Sequence, residues 1–599
     1  MIDSFKKAWI YLDSTNKRLA VWVFLTMLLM PFIELFGIGA VYSFVQMVAN
    51  PEALHSARFF QLLTEVISFD NDQQALLFIG LGTLIAVLVR IFASLFSIWI
   101  RALFVRSVNI LLSYRILSGY VSKPASFFAG TNTATLNKNI LTETSTLSNG
   151  TIKGAMTLLS DALNIFIIAV GLVYIQPVIT AIAILLFGGL YGSLSIILRK
   201  ISLRLGEERL AQSDLRFRAA NHVLGGIREI KILGRERVFL DKFKSASNNF
   251  FRTQMNTNLI ASFPRYLLEA IVFSAVIAMV LVLVNRGETN GTVISLVSLY
   301  GLAAYRLMPS LDSFFKQITI IRSCAAAANE LDGVLKEGIA AEAAPPPSTD
   351  RLSFQHQLQL KNVNFSYSKD GGVDTLKNIN LTLDSHKTIA FVGSSGAGKS
   401  TLVKLIMGEL PLTSGDMLVD GVSISPENVR LWQNCIGYVP QDIFLSDDTV
   451  SHNIAFGIRE QMVDDDAVVK AARYAHLHDF IVKETPEGYA TVVGERGVRI
   501  SGGQRQRIGI ARALYHEPSV LILDEATSAL DTITEQAVAD AIHDLNKKKT
   551  IIIIAHRLST VRNCDVIYML SEGAVVDSGT YDELLERNDT FRRMAKEET

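Results

Sequence analysis

Six apolar stretches, approximately 19–48, 75–100, 154–174, 178–197, 266–284 and 292–311, match or exceed the roughly 20 residues an α-helix needs to cross a bilayer core. That layer holds no water to satisfy backbone N–H and C=O groups, so the first half of such a chain must be helical. "MIDSFKKAWIYLDSTNKR" places basic residues ahead of the first stretch. That stretch is longer than a signal-peptide apolar region and lacks a small-residue cleavage pattern, which predicts a retained helix.

Charge in the connections sets the orientation. Residues 49–74 carry one basic side chain, Arg58, against Glu52, Glu65, Asp70 and Asp72. The turn at Gln176-Pro177 is uncharged, and "NRGETNG" is short and nearly neutral. By contrast, 101–153 and 198–263 are rich in Lys and Arg, as in "RKISLRLGEERLAQSDLRFR". The positive-inside rule therefore predicts a multi-pass protein of the cytoplasmic (inner) membrane, with both termini and the two long connections in the cytoplasm. In the outer connection Phe59, Leu62, Leu63, Val66 and Ile67 recur at helical spacing, predicting a short amphipathic helix on the outer face or packed on its own loop.

A hydrophobic content of 49% over 599 residues suits a membrane part joined to a soluble one. Lys and Arg total 57 and Asp and Glu also total 57, so net charge offers no argument for a nucleic-acid partner and none is expected. Cys324, Cys435 and Cys564 are far apart, odd in number and without metal-ligand spacing, which predicts reduced structural thiols. "GIAAEAAPPPSTDR" reads as a linker over 336–350, separating a membrane domain at 1–335 from a second domain at 351–599.

Beyond the linker, short β-branched strands alternate with helices. "KTIAFVGSSGAGKSTLVKLIMG" is an apolar strand, a loop Gly393-x-x-Gly396-x-Gly398-Lys399-Ser400, and an amphipathic helix, the context a phosphate-binding loop requires. Glycines there let backbone N–H groups turn onto phosphate oxygens, the helix N-terminus adds partial positive charge, Lys399 reaches β and γ phosphates, and Ser400 ligates Mg²⁺. The strand in "SVLILDEATSALD" ends in Asp524, a metal ligand by position, and Glu525, placed to orient or deprotonate an attacking water. "TIIIIAHRLS" then delivers His556.

With these segments in this order, the chain resembles the ATP-binding cassette transporters over essentially its whole length. The resemblance adds Tyr367 in "NFSYS" as the adenine-stacking aromatic, Gln441 in "YVPQDIFL" as a metal and water contact, and "ISGGQRQR" as the signature. The signature departs from the family only at Ile500, where Leu is usual. It implies ATP and Mg²⁺ as ligands, with Glu525, His556 and Gln441 catalytic and Ser400, Gln441 and Asp524 around the metal. Tyr367, Gly393, Ser394, Gly396, Gly398, Lys399, Ser400 and Thr401 hold the nucleotide. Ser501, Gly502, Gly503 and Gln504 of the signature complete the site of a partner copy, and Asp531, at the end of "SALD", is a further nucleotide-binding position.

The implied fold is a six-helix membrane domain of the type I exporter (type IV) class followed by an α/β P-loop ATPase. One such domain and one ATPase make a half-transporter, expected to pair with itself; a heterodimer is the alternative. "NHVLGGIREIKILGRE" and "TVVGERG" resemble the segments through which exporters join membrane and ATPase parts. The order membrane-then-ATPase in one chain is that of exporters and flippases. A channel or regulator of the same family often lacks the catalytic Glu or an intact signature, and both are present here.

For the substrate, the sequence offers buried arginines. Counting about 1.5 Å per residue puts Arg306 about 21 Å, Arg90 about 22 Å and Arg265 about 28 Å from the outer face, in the inner half or at the inner boundary. An intramembrane arginine costs at least about 2.5 kcal/mol, so it faces a cavity or a partner. Arg265 has Glu269 at i,i+4, and Glu34 could pair with Arg90 or Arg306. "SFPRYLLEAIVF" and "AAYRLMPSLD" resemble the lipid-linked oligosaccharide flippases of bacterial protein N-glycosylation. That implies a polyprenyl-pyrophosphate-linked glycan as substrate and Arg306, with Arg90 and Arg265, as its headgroup contacts; a lipid, drug or peptide exporter is the alternative.

Overall fold

The computed structural model describes residues 12–49, 72–175, 177–285, 290–343, 348–367, 374–494, 497–524, 548–555 and 557–597. The segment read as an outer amphipathic helix, 59–67, lies outside them. The chain divides into two compact units, Met1–Ala344 and Pro345–Thr599.

In the first unit the apolar stretches sit within six long helices, α1 (Ser14–Ala49), α2 (Asp72–Val121), α3 (Lys153–Ile175), α4 (Pro177–Gly225), α5 (Glu236–Asn285) and α6 (Asn290–Ser323). Among the described residues, four helical runs are long and apolar enough to cross a membrane: Ser14–Val41, Leu76–Val121, Thr133–Tyr174 and Glu236–Val282. The connections rich in Lys and Arg are largely not loops. At about 1.5 Å per residue the 50-residue α2 and α5 extend about 75 Å, far beyond a bilayer core, so much of the polar sequence continues the same helices. A further helix, α7 (Ala325–Ala343), runs through the first half of the stretch read as a linker. Its alanines, the strongest helix formers, carry the helix as far as Ala343.

Where α7 crosses α2 the backbones nearly touch. A Cβ on Gly338 would fall 1.9 Å from the Arg115 carbonyl oxygen, and one on Gly119 would fall 2.4 Å from that of Val334. Only glycine permits this approach, and Arg115–Glu342 (2.8 Å) and Lys123–Glu337 (2.6 Å) flank it.

The helical run that enters α3 contains two π-helical turns, Asn139–Glu143 and Leu147–Ile152. Around the first lies a set of buried charges. Glu143 is fully buried and takes Arg209 of α4 at 2.7 Å. Lys138, 2% exposed, reaches Glu330 of α7 at 3.3 Å and Asp214 of α4 at 3.7 Å, and Thr135 donates its hydroxyl to Asp214 at 2.7 Å. Each charge has its counter-charge on a different helix, so the pairs specify which helices pack together.

The second unit holds two sheets. The strands are β1 (Gln357–Phe365), β2 (Leu376–Asp384), β3 (Thr388–Val392), β4 (Ser414–Val419), β5 (Val422–Ser423), β6 (Ile436–Val439), β7 (Val520–Asp524), β8 (Thr550–Ile554), β9 (Val566–Ser571) and β10 (Ala574–Gly579). A four-stranded antiparallel sheet has the order β2-β1-β4-β5, and a six-stranded sheet has the order β10-β9-β3-β8-β7-β6. In the larger sheet β3, β8, β7 and β6 are parallel. Strands β3 and β8 are buried at every position, as apolar runs covered on both faces should be. Alternate residues feed separate cores: Ala390, Leu521, Leu523, Ile551 and Ile553 lie in one, Phe391, Ile522, Ile552 and Ile554 in the other.

Arg209→Ala is expected to destabilise the membrane unit by about 3–5 kcal/mol, because it leaves Glu143 buried and unpaired. Replacing both partners together, Glu143→Leu with Arg209→Met, should recover most of that loss in thermal unfolding of the detergent-solubilised protein.

Candidate nucleotide site

The parallel register brings the motif residues to one edge. Phe391 of β3 lies opposite Ile554 of β8, Ile554 opposite Asp524 of β7, and Leu523 of β7 opposite Val439 of β6. The four strands therefore end level with one another. Gly393, Asp524 and Gln441, separated by up to 131 positions in sequence, leave the sheet at its carboxyl edge, where open α/β sheets bind ligands. Glu525, Asp531 and His556 lie outside the described residues, but β7 and β8, which lead directly into Glu525 and His556, end at this edge.

After β3 the chain turns back on itself. Gly393 has φ 147° and Gly398 has φ 99°. A Cβ would meet the Leu570 carbonyl oxygen at 2.2 Å in the first case and a Leu376 methyl at 2.7 Å in the second, so both positions require glycine. Gly396, φ 81°, has open space where a Cβ would be, so its backbone conformation alone favours glycine. Gly398 caps helix α8 (Lys399–Ile406). Lys399 is 5% exposed, and its Nζ donates to the Gly393 carbonyl at 2.7 Å and to that of Ser394 at 3.1 Å. The ammonium is thus held inside the loop by acceptors that a phosphate oxygen can replace.

Tyr367 is 58% exposed, with its ring edge-on to Phe365 at 4.9 Å and its hydroxyl 3.3 Å from that of Thr401. An aromatic face anchored at one end and open at the other suits base stacking. Ser400 is exposed at the first turn of α8 and Gln441 is exposed just beyond β6. Ser400, Gln441 and Asp524 offer only oxygen donors and approach from one edge, which fits Mg²⁺.

Ser501 caps a 13-residue helix, α9 (Gly502–Leu514). Its hydroxyl accepts from the Gln504 N–H at 3.2 Å and its own N–H donates to the Gln504 side chain at 2.8 Å. Gln504 is therefore engaged in the cap. Ser501 and Gly502 are exposed and Gly503 is buried.

Tyr438 was not visible as a site residue in the sequence. It donates its hydroxyl to Asp524 Oδ2 at 3.3 Å, and its phenol is pushed up by burial, then by the Asp524 charge and that hydrogen bond. The pair spans β6 and β7, so an aromatic one residue before "VPQ" was the only sequence trace.

Family comparison agrees with this geometry. The family model for the ABC transporter transmembrane region matches residues 36–306, and that for the ABC transporter ATPase, described simply as ABC transporter, matches 376–528. The heterocyst differentiation ATP-binding protein HepA of Nostoc sp. is 32% identical over 77% of this chain and 74% of its own. The chain belongs to the ABC transporter family. An ATP-dependent lipid A-core flippase of Saccharophagus degradans is 29% identical to this ABC transporter over 87% of both chains. A solved structure described as a bacterial Atm1-family ABC exporter with ATP bound superposes with a TM-score of 0.77 at 23% identity, over 98% of this chain and 99% of that one, and so shares the fold. This ABC transporter is accordingly a multi-pass half-transporter that binds ATP and couples its hydrolysis to transport.

The three membrane arginines do not form a group among the described contacts. Arg90 of α2 faces Glu34 of α1 at 3.6 Å, and its Nε is buried without a hydrogen-bond partner among the described residues. Arg265 of α5, half-exposed, pairs with Glu269 at 2.9 Å. Arg306 lies in α6, and its side chain is outside the described set. A buried acid went unnoticed in the sequence: Asp161 of α3, 9% exposed, accepts the Ser313 hydroxyl of α6 and lies near Arg101 of α2. A lone Asp in the apolar "MTLLSDALNIF" was its signal.

Tyr438→Phe should raise the Mg²⁺ concentration for half-maximal ATP turnover by about two- to tenfold, the loss of one hydrogen bond that orients Asp524. Turnover at saturating Mg²⁺ should change little. A metal titration of ATPase activity checks this.

Proposed function

We propose that two copies of this chain assemble into an exporter of the cytoplasmic membrane in which the Ser501–Gly503 segment of each completes the nucleotide site of the other. Lys399 and the loop amides of Gly393 to Gly398 hold the β and γ phosphates, Ser394 and Thr401 border them, and Tyr367 stacks on the base. Ser400, Gln441 and Asp524 would hold Mg²⁺, which when bound neutralises charge on the transferred phosphoryl group. Glu525 orients and accepts a proton from the attacking water, His556 contacts the γ phosphate, and Asp531 supports the facing copy. The level ends of β3, β8, β7 and β6 support this reading.

Glu525→Gln should retain ATP binding, since Lys399, Ser400 and Asp524 are untouched, while slowing hydrolysis by at least about a hundredfold. ATP turnover measured together with crosslinking of two ATPase units tests the role; turnover like that of the wild type refutes it.

For the substrate we infer an amphipathic lipid with an anionic head, turned from the cytoplasmic to the outer leaflet, and specifically a polyprenyl-pyrophosphate carrying a glycan. Arg90 carries the reading. It is paired only loosely at 3.6 Å and keeps a buried Nε without an acceptor among the described residues, so a phosphate oxygen would satisfy it. The similarity to a lipid A-core flippase along nearly the full length supports a lipid substrate. Arg265, already paired with Glu269, is the weakest of the three contacts.

Arg306→Ala should leave basal ATP hydrolysis intact and reduce flipping of a pyrophosphate-linked lipid in proteoliposomes; adding Arg90→Ala should abolish it, and Arg306→Lys should restore part. A folded Arg306→Ala, Arg90→Ala protein that flips normally excludes the headgroup role and leaves an exporter of uncharged lipids, drugs or peptides.

A further inference from the structure

The cytoplasmic end of the fourth span carries cations that form no ion pair among the described residues. Along α4, Ile196, Lys200 and Arg204 succeed one another at i,i+4 spacing and so share one stripe of the helix, and Ser195 and Arg199 share the next. Ile196 is 77%, Ile197 64% and Ile201 44% exposed, an apolar surface that ends where Arg199, Lys200 and Arg204, all exposed, begin. The lipid–water boundary therefore falls across this stretch.

A fourth cation comes from α6. Arg322 donates to the Ser195 carbonyl at 2.8 Å and to its hydroxyl at 3.0 Å, which fixes the guanidinium against α4 one turn from Arg199. Burial first, and then the Arg199 charge, lower the Arg322 pKa from its ordinary value. Two like charges on different helices are thus held together, and among the described residues no carboxylate pairs with Arg199, Lys200, Arg204 or Arg322. Elsewhere in this unit buried cations such as Lys138 and Arg209 do have acidic partners.

We propose that the seam between α4 and α6 at Arg199, Lys200, Arg204 and Arg322 is a binding site for the phosphate headgroup of a resident anionic phospholipid of the cytoplasmic leaflet. The isoleucines take its acyl chains, Lys200 and Arg204 reach its phosphate from the exposed stripe, and Arg199 with Arg322 closes the site from the α6 side. The site lies beyond the inner end of the fourth span and uses none of the arginines assigned to the transported headgroup.

Full-length protein in nanodiscs of phosphatidylcholine with a rising fraction of phosphatidylglycerol, without transport substrate, tests the site by native mass spectrometry of retained lipid. The wild type should retain phosphatidylglycerol over phosphatidylcholine. Lys200→Gln should weaken that preference about fivefold, and Arg199→Gln, Lys200→Gln and Arg204→Gln together should remove it. Thermal unfolding of the triple variant in phosphatidylcholine alone should equal that of the wild type. Equal retention of both lipids by the wild type overturns the proposal, as does undiminished preference in the triple variant. Displacement of phosphatidylglycerol by millimolar inorganic pyrophosphate would show a site for free phosphate, and a lowered unfolding midpoint in phosphatidylcholine would show that these cations pack on protein or on a second copy. Because no transported molecule enters the measurement, its result stands apart from that of the flipping assay.

Discussion

Everything chemical in this protein depends on four parallel strands ending level. With Phe391, Ile554 and Asp524 in register across β3, β8 and β7, and Val439 beside Leu523, the four strands end at one edge. A parallel ladder slipped by one residue would turn every side chain to the opposite face and exchange the contents of the two cores. The alternation of Ala390 and Phe391, or of Ile551 and Ile552, between those cores therefore holds the catalytic edge level. The site's geometry is in this sense a consequence of hydrophobic packing on both faces of the sheet.

The membrane unit meets a different constraint. Within the bilayer, helix packing gains little from hydrophobicity, because lipid tails are as apolar as the side chains. In the helical extensions beyond the spans, a buried apolar core that includes Leu112, Ile116, Leu331 and Leu335 is joined by close contacts and by charge. Gly119 and Gly338 bring α2 and α7 together at backbone distance, and Glu143–Arg209 with Lys138–Asp214–Glu330 joins the segment before α3 to α4 and α7. These charges lie in the helical extensions that the sequence presented as basic connections. The same basic composition that the positive-inside rule reads also supplies partners that join the helices.

Charged groups near the membrane fall into three kinds. Some, such as Arg265 with Glu269, are neutralised locally. Asp161 is buried and Arg90 half-buried, each with an incomplete set of partners among the described residues. Arg199, Lys200 and Arg204 of α4 are exposed beside apolar side chains and have no carboxylate partner among the described residues. Burial and pairing separate these kinds, and residue type does not: an arginine belongs to each.

The sequence by itself determined the order of the two parts, the six apolar stretches and the family, because these depend on local composition and on contiguous motifs whose chemistry is written in neighbouring residues. The glycine loop with Lys399 and Ser400 and the strand ending at Asp524 were legible for that reason. Helix length was not: polar extensions and alanine runs obey helix propensity and carry no boundary mark, so the last part of α7, 336–343, was taken for the start of a linker. Only the tertiary structure decided that Tyr438 orients Asp524, that Arg90 faces Glu34, that Asp161 is buried beside Ser313, and that Arg322 is fixed against Ser195. Each of these joins residues on different strands or helices, and no spacing along the chain encodes which elements lie side by side.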